Sequence, residues 1–350
     1  MSLIGQPDQL IERTADVTDL LSDGLDQRLD DDMSTPSDMV LEDVDSGAPL
    51  GCETYASFPR SVTLDEHALP EASGLTISGI NPLILWSHND SGSMSEVIAV
   101  HVEGTVLGSI LLPDIAEDLE DIDEAPCPHR AGRCLWVGDI GDNTLRRQRL
   151  RLWITPEPSV DSSFDIVRVT NDHIPAHTLS IPLVLEGGSA DIEALAVDHL
   201  GRRVWLFEKR EEGRVQVWLI DFNVERISEG LEAWLSGTVS EPEPLSARKF
   251  TSFEAPGVAI PYGRMITSAD LSPDGTRLLI RVYTGIYEYR LSEPYGLSDL
   301  DELTPIRIAL GPLNEPQGEA LSYGWRGEGV WSISESLDVA QPLNYFECQD

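Results

Sequence analysis

Positive charge is what this chain has least of. Its 350 residues carry 24 Lys and Arg against 61 Asp and Glu, a formal net charge of -37. Nucleic-acid binding needs a basic surface that displaces counterions from phosphate, so the balance argues against that class of partner. Lysine is nearly missing, with Lys209 and Lys249 beside 22 arginines. No apolar run reaches the roughly 18 residues of a membrane-spanning helix, and the amino end shows no charged segment followed by an apolar stretch. The G-x-S-x-G elbow and the H-E-x-x-H helix are both absent, which removes two common hydrolase templates. The triplet Asp90-Ser91-Gly92 occurs without the second copy an aspartic-protease pair needs, and His88 beside it reads more simply as a packing histidine.

Cysteine is also sparse, and its placement is informative. Cys127 and Cys134 bracket the short loop PHRAGR, which suits a local disulfide. Cys52 precedes the first of the repeats described below and Cys348 follows the last, so a closed ring would bring them together. Two such pairs point to an oxidising, extracytoplasmic location: periplasmic, secreted or surface-tethered as a lipoprotein. Four reduced thiols is the competing reading, and C-x6-C without a second close pair is poor zinc spacing.

What the chain has in plenty is a recurring acidic cassette. It reads EASGL at 71–75, DLEDI at 118–122, DIEAL at 191–195, TSADL at 267–271 and QGEAL at 317–321. Recurrence every roughly 50 to 75 residues marks units that bury their hydrophobic faces only against one another. Each cassette precedes an apolar run bounded by turn residues, such as CLWVGDIGDN from 134 or VWLFEKR from 204, and a third alternating run often follows, as in VQVWLID at 215–221. The pattern predicts an all-β fold, a propeller of four-stranded antiparallel blades. The 73- and 76-residue intervals leave room beyond one blade, so five cassettes plus one degenerate blade make six, with five or seven open. Ile227, Leu231, Trp234 and Leu235 recur at helical spacing within the longer interval.

Residues 1–50 differ, with 13 acids against 2 arginines, and read as an acidic flexible segment or tether ahead of a propeller domain at 51–350.

The ordered succession EASGL, LWSHNDSG, DLEDI, WVGDIGDNTLRR, DIEAL, FEKR, ITSADLSPDGTRLLIRVY and QGEALSY resembles the phytase-like β-propellers of bacterial extracytoplasmic proteins, over about residues 66–340. LSPDGTRLLI at 271–280 is similar to the turn repeat of TolB-type propellers. The first resemblance implies a calcium-assisted hydrolase of phosphate or ester substrates, labelled esterase-like, with calcium as cofactor.

In a propeller the cassette strand lines the central channel. Glu120, Glu193 and Glu319 should then share one height, with Ser73 and Ala269 at equivalent places and Asp270 one residue later. The ends of the second strands should bring Asp90, Asp139, Glu208, Lys209, Arg281 and Glu335 to one mouth. Glu120, Glu193, Lys209 and Arg281 are the catalytic candidates; Glu120, Glu193, Glu319, Asp90, Asp139, Asp142 and Asp270 are the metal candidates. The competing reading makes the loop acids turn residues and pairs the channel acids with Arg281, Lys209, Arg146 or Arg147. The expected partner is a small-molecule or cell-envelope ligand, taken by a monomer, and a noncatalytic cell-envelope binding or scaffold module is the alternative function.

Overall fold

The computed structural model describes residues 51–64, 69–90, 92, 94–128, 130–160, 178–223, 236, 238, 242–310, 315, 317–335 and 340–349. The expectations for residues 1–50 and for the helically spaced segment at 227–235 lie outside that set.

In chain order the strands are β1 (Arg60–Thr63), then β2 (Ala72–Ile77), β3 (Ile84–Asn89), β4 (Glu96–His101) and β5 (Val106–Leu111). β6 (Leu119–Pro126), β7 (Arg133–Asp139), β8 (Leu150–Pro156) and β9 (Leu179–Leu185) follow. Next come β10 (Ile192–Val197), β11 (Arg203–Glu208), β12 (Val215–Asp221) and β13 (Leu245–Phe253). The last are β14 (Ile266–Leu271), β15 (Arg277–Val282), β16 (Gly285–Arg290), β17 (Ile306–Leu310), β18 (Gln317–Tyr323), β19 (Val330–Glu335) and β20 (Pro342–Phe346).

Pairing groups these strands into five four-stranded antiparallel blades, two of them joined at their outer edges where β9 and β13 run parallel. The inner strands β2, β6, β10, β14 and β18 each pack on the next, and β18 returns to β2, so the ring closes on itself. The propeller of four-stranded blades is therefore as expected, and the described residues build it with five blades rather than six. The long intervals are taken up within blades, by excursions between β8 and β9 and between β12 and β13. A connection between third and fourth strands can lengthen without opening the ring.

Strand alternation explains why the apolar runs are unbroken. In β11, Val204 and Leu206 face the preceding blade while Trp205 and Phe207 face the following one, and all four are buried. The same division assigns Leu135 and Val137 of β7 to one neighbour and Cys134 and Trp136 to the other. The five hydrophobic clusters are accordingly the five blade-to-blade interfaces.

β1 comes from the start of the domain yet pairs with β20, so the amino-terminal strand completes the last blade. Cys52–Cys348 locks the same closure and Cys127–Cys134 ties a hairpin within a blade, leaving no free cysteine among the described residues. Cross-link stabilisation grows with the loop closed. Replacing both Cys52 and Cys348 by Ala should therefore cost about 2–4 kcal/mol, more than the same change at Cys127 and Cys134, where the separation is 7 rather than 296 residues. Urea denaturation without reductant measures the difference; equal losses would show that strand pairing alone holds the ring.

Candidate functional site

Each inner strand carries a β-bulge at the same place. The register shifts fall between Ala72 and Gly74, Leu119 and Asp121, Ile192 and Ala194, Ile266 and Ser268, and Gly318 and Ala320. The extra residues are Ser73, Glu120, Glu193, Thr267 and Glu319. A bulge re-aims one side chain out of the alternating pattern, here five times around one ring. The fifth member is thus Thr267 and not Ala269, because TSADL aligns with the other cassettes on Ala269 rather than on Leu271.

That shift moves Asp270 away from the mouth. It occupies the position of Asp123 and Ser322, and all three do the same work. Asp123 Oδ2 accepts from the Val197 amide at 2.6 Å, Asp270 Oδ2 from the Tyr323 amide at 2.7 Å and Ser322 Oγ from the Ile77 amide at 3.0 Å. Asp121 reaches furthest, accepting from the amides of Leu195 at 3.0 Å and Ala269 at 3.2 Å on two different blades. An inner strand has an open edge, and its buried N–H groups need acceptors. These side chains are struts between blades.

The acids at the mouth converge on one another instead. Asp90, Asp118 and Glu120 each bring a carboxylate oxygen within 4.8 Å of the others. Gly141 lies over them so closely that a Cβ there would collide with the Glu120 and Asp118 carboxylates. Lys209 Nζ meets Glu193 Oε2 at 2.9 Å and stands 5.6 Å from the centre of the Tyr283 ring. Glu319 accepts from Gln317, which also bonds Glu335. Glu193 is buried and also interacts with the Glu120 side chain.

Burial raises Glu120, Glu193 and Glu319. Glu120 is held far above the carboxylate range by burial, then by Glu193, Asp90 and Asp118, with Lys209 opposing. Glu193 is pushed up to about 7 by burial against the pull of Lys209, and Glu319 to about 8 by burial with Glu193 adding to it. Burial works against the charge on Lys209, but Glu193, Tyr283 and Glu319 outweigh it and raise its pKa. Perturbed acids of this kind gather where protons are moved or cations held.

Other expected site residues stand apart. Arg281 is wholly buried, ion-paired with Glu315, and Gly318 leaves the space its guanidinium fills. It is not at the mouth because its place in β15 is one residue before the strand end, level with His88 and Phe207 of other second strands. Asp139 accepts from Arg147 at 2.7 Å and from the Asp118 amide at 3.0 Å. Asp142 accepts from the amides of Arg146 and Arg147 at 2.8 and 2.9 Å, a turn function. Asp118, Thr267 and Tyr283 also stand at the mouth, outside the set expected from the sequence. Asp118 is the first letter of DLEDI, and its spacing of two from Glu120 across the bulge was the available signal.

No helix among the described residues is long and apolar enough to cross a membrane. The two disulfides suit an oxidising, extracytoplasmic environment. No protein-family model matches the chain, and no curated protein matches it. Among solved structures, the WD40 repeats of RRP9 align with 79% of this chain and 67% of that chain, at 12% identity and a TM-score of 0.35. The fold rests instead on the strand pairing itself.

Proposed function

We propose that this propeller is an extracytoplasmic hydrolase of phosphate or ester substrates that works with calcium at its acidic mouth, as the resemblance to phytase-like propellers implies. The reading is carried by Asp90, Asp118 and Glu120, three hard oxygen donors converging beside buried Glu193, whose pKa burial raises to about 7. The donor chemistry fits: calcium takes several carboxylate oxygens, and the buried Glu193 carboxyl, which interacts with Glu120, is a further oxygen donor beside them. When bound, calcium would neutralise the carboxylates and polarise a substrate oxygen. Asp90, Asp118 and Glu120 would hold it. Glu193, titrating near neutrality, would give or take the proton, and Lys209 would orient it and draw in an anionic group. Residues 1–50 would serve as tether or solvated arm in the periplasm, on the cell surface or outside the cell.

A noncatalytic cell-envelope binding module is favoured by one observation, the direct Lys209–Glu193 ion pair, because a compensated carboxylate is a poorer base. A panel of aryl phosphates and aryl esters, assayed with calcium and with chelator, separates the two. Hydrolysis should require calcium, and Glu193→Gln should slow it roughly 100-fold or more. Equal turnover by parent, Glu120→Gln and Glu193→Gln, or none on any substrate, would remove these residues from a mechanism.

A further inference from the structure

Lys209 lies one residue beyond the end of β11, where its amide donates to Asp191 O at 2.9 Å and fixes the main chain beside the mouth. Its side chain is 14% exposed, with Nζ 2.9 Å from Glu193 Oε2. The Glu193 side chain in turn bonds Glu120, which belongs to the triad with Asp90 and Asp118. Along that chain of contacts, and across to Glu319, the Lys209 charge acts on all three ring glutamates. Two other basic side chains expected at the mouth are engaged elsewhere. Arg147 binds Asp139 and Glu117, and Arg281 binds Glu315.

The choice of lysine at this place is informative. The chain has 22 arginines and 2 lysines, and buried Glu124, Asp139, Asp198, Glu288 and Glu315 are each paired with an arginine. An arginine fork holds a carboxylate in a planar, pre-set geometry, whereas a lysine is a compact point charge on a flexible stem. A lysine pair is therefore the easier one to exchange. The Tyr283 ring, its centre 5.6 Å from Nζ, offers the ammonium a second partner.

Clustered carboxylates repel one another and need a cation among them. In the folded chain Lys209 supplies part of that charge. A divalent ion entering the triad brings two more positive charges close to the ammonium, and at this range each weakens the hold of the other.

We propose that Lys209 is the resident counter-ion of the acidic mouth: its ammonium competes with a divalent cation for the ring carboxylates and leaves Glu193 when that cation binds. The inference rests on the reading of the mouth as a calcium site and names what sets the occupancy of that site. Once released, the ammonium is the positive charge that meets an anionic substrate group.

Calcium calorimetry on the chelator-treated parent and Lys209→Met, which keeps an unbranched stem without the charge, reads the competition. Lys209→Met should bind calcium roughly tenfold or more tightly, the opposite of what loss of a ligand or of the fold would do. A second readout uses the parent alone. With lysine isotopically labelled at Nζ, its two side-chain ammonium signals are told apart by the surface change Lys249→Arg. The Lys209 signal should move as calcium is added, while that of exposed Lys249 stays. Where the parent binds calcium, equal or weaker binding by Lys209→Met of parental circular dichroism overturns the inference and leaves the calcium site standing. So does a Lys209 signal that moves no further than that of Lys249 at saturation. Absence of binding in both proteins removes the calcium site and the inference with it. Binding by Lys209→Met alone supports the competition and removes calcium from the parent's chemistry.

Discussion

Asp121→Ala should destabilise the propeller by about 3–6 kcal/mol, a large part of the 5–15 kcal/mol that holds a typical domain together. Asp121 is fully buried and accepts from the backbone amides of Ile122, Leu195 and Ala269 and from the Ser268 hydroxyl. Its removal leaves three buried N–H groups on three blades without their acceptor, each costing about 1–3 kcal/mol. Asp121→Asn keeps one acceptor oxygen and should fall between. Urea denaturation measures all three proteins; a loss below about 1 kcal/mol for the alanine variant would mean that channel water replaces the carboxylate at little cost.

The second large effect is on pH dependence. Burial pushes Asp270 up to about 7, with Tyr323, Ser322 and Leu271 acting as donors that oppose the rise and Glu124 adding to it. Glu124 is likewise raised to about 7 by burial, against the pull of Arg133. A carboxyl whose folded pKa exceeds its unfolded value favours folding while protonated. That stability is complete below the unfolded value and falls as pH climbs through the folded one, by about 1.4 kcal/mol per pH unit per group. Buried His88 and half-buried His199, both held down to about 4 by desolvation, act in the opposite sense between that value and 6.5. The raised carboxyls outnumber them, so stability in chelator should decline from pH 5 to pH 7. Asp270→Asn keeps an acceptor for the Tyr323 amide but cannot ionise, and should make the decline shallower by about 1.4 kcal/mol per pH unit. An unchanged slope would show that Asp270 is already ionised in the folded protein.

The fold was legible because its signal is redundant. Apolar runs such as VWLF and LLI are buried on both faces, so they stand out without any reference to partners, and five cassettes correspond to five blades. The 73- and 76-residue intervals are lengthened by excursions between third and fourth strands and not by a further blade. The site was legible in part. Glu120, Glu193 and Glu319 share a ring because the bulge recurs, but a bulge is a one-residue event in the hydrogen-bond register and leaves no fixed letter behind. TSADL looked aligned on Leu271, and only the pairing of Ser268 with Arg281 places Thr267 in the ring and turns Asp270 into a strut. Arg281 is charged and near a strand end, and its place inside β15, buried against Glu315, separates it from Lys209, which lies beyond the end of β11.

The division of the channel acids into a cation-holding ring and structural struts is tested most directly by calcium calorimetry on the chelator-treated parent, Glu120→Gln, Asp118→Asn and Asp270→Asn. The parent should bind calcium, Glu120→Gln and Asp118→Asn should each lose roughly tenfold or more in affinity, and Asp270→Asn should bind as the parent does. Absence of heat in the parent, or a loss in Asp270→Asn equal to that in Glu120→Gln, would contradict that division.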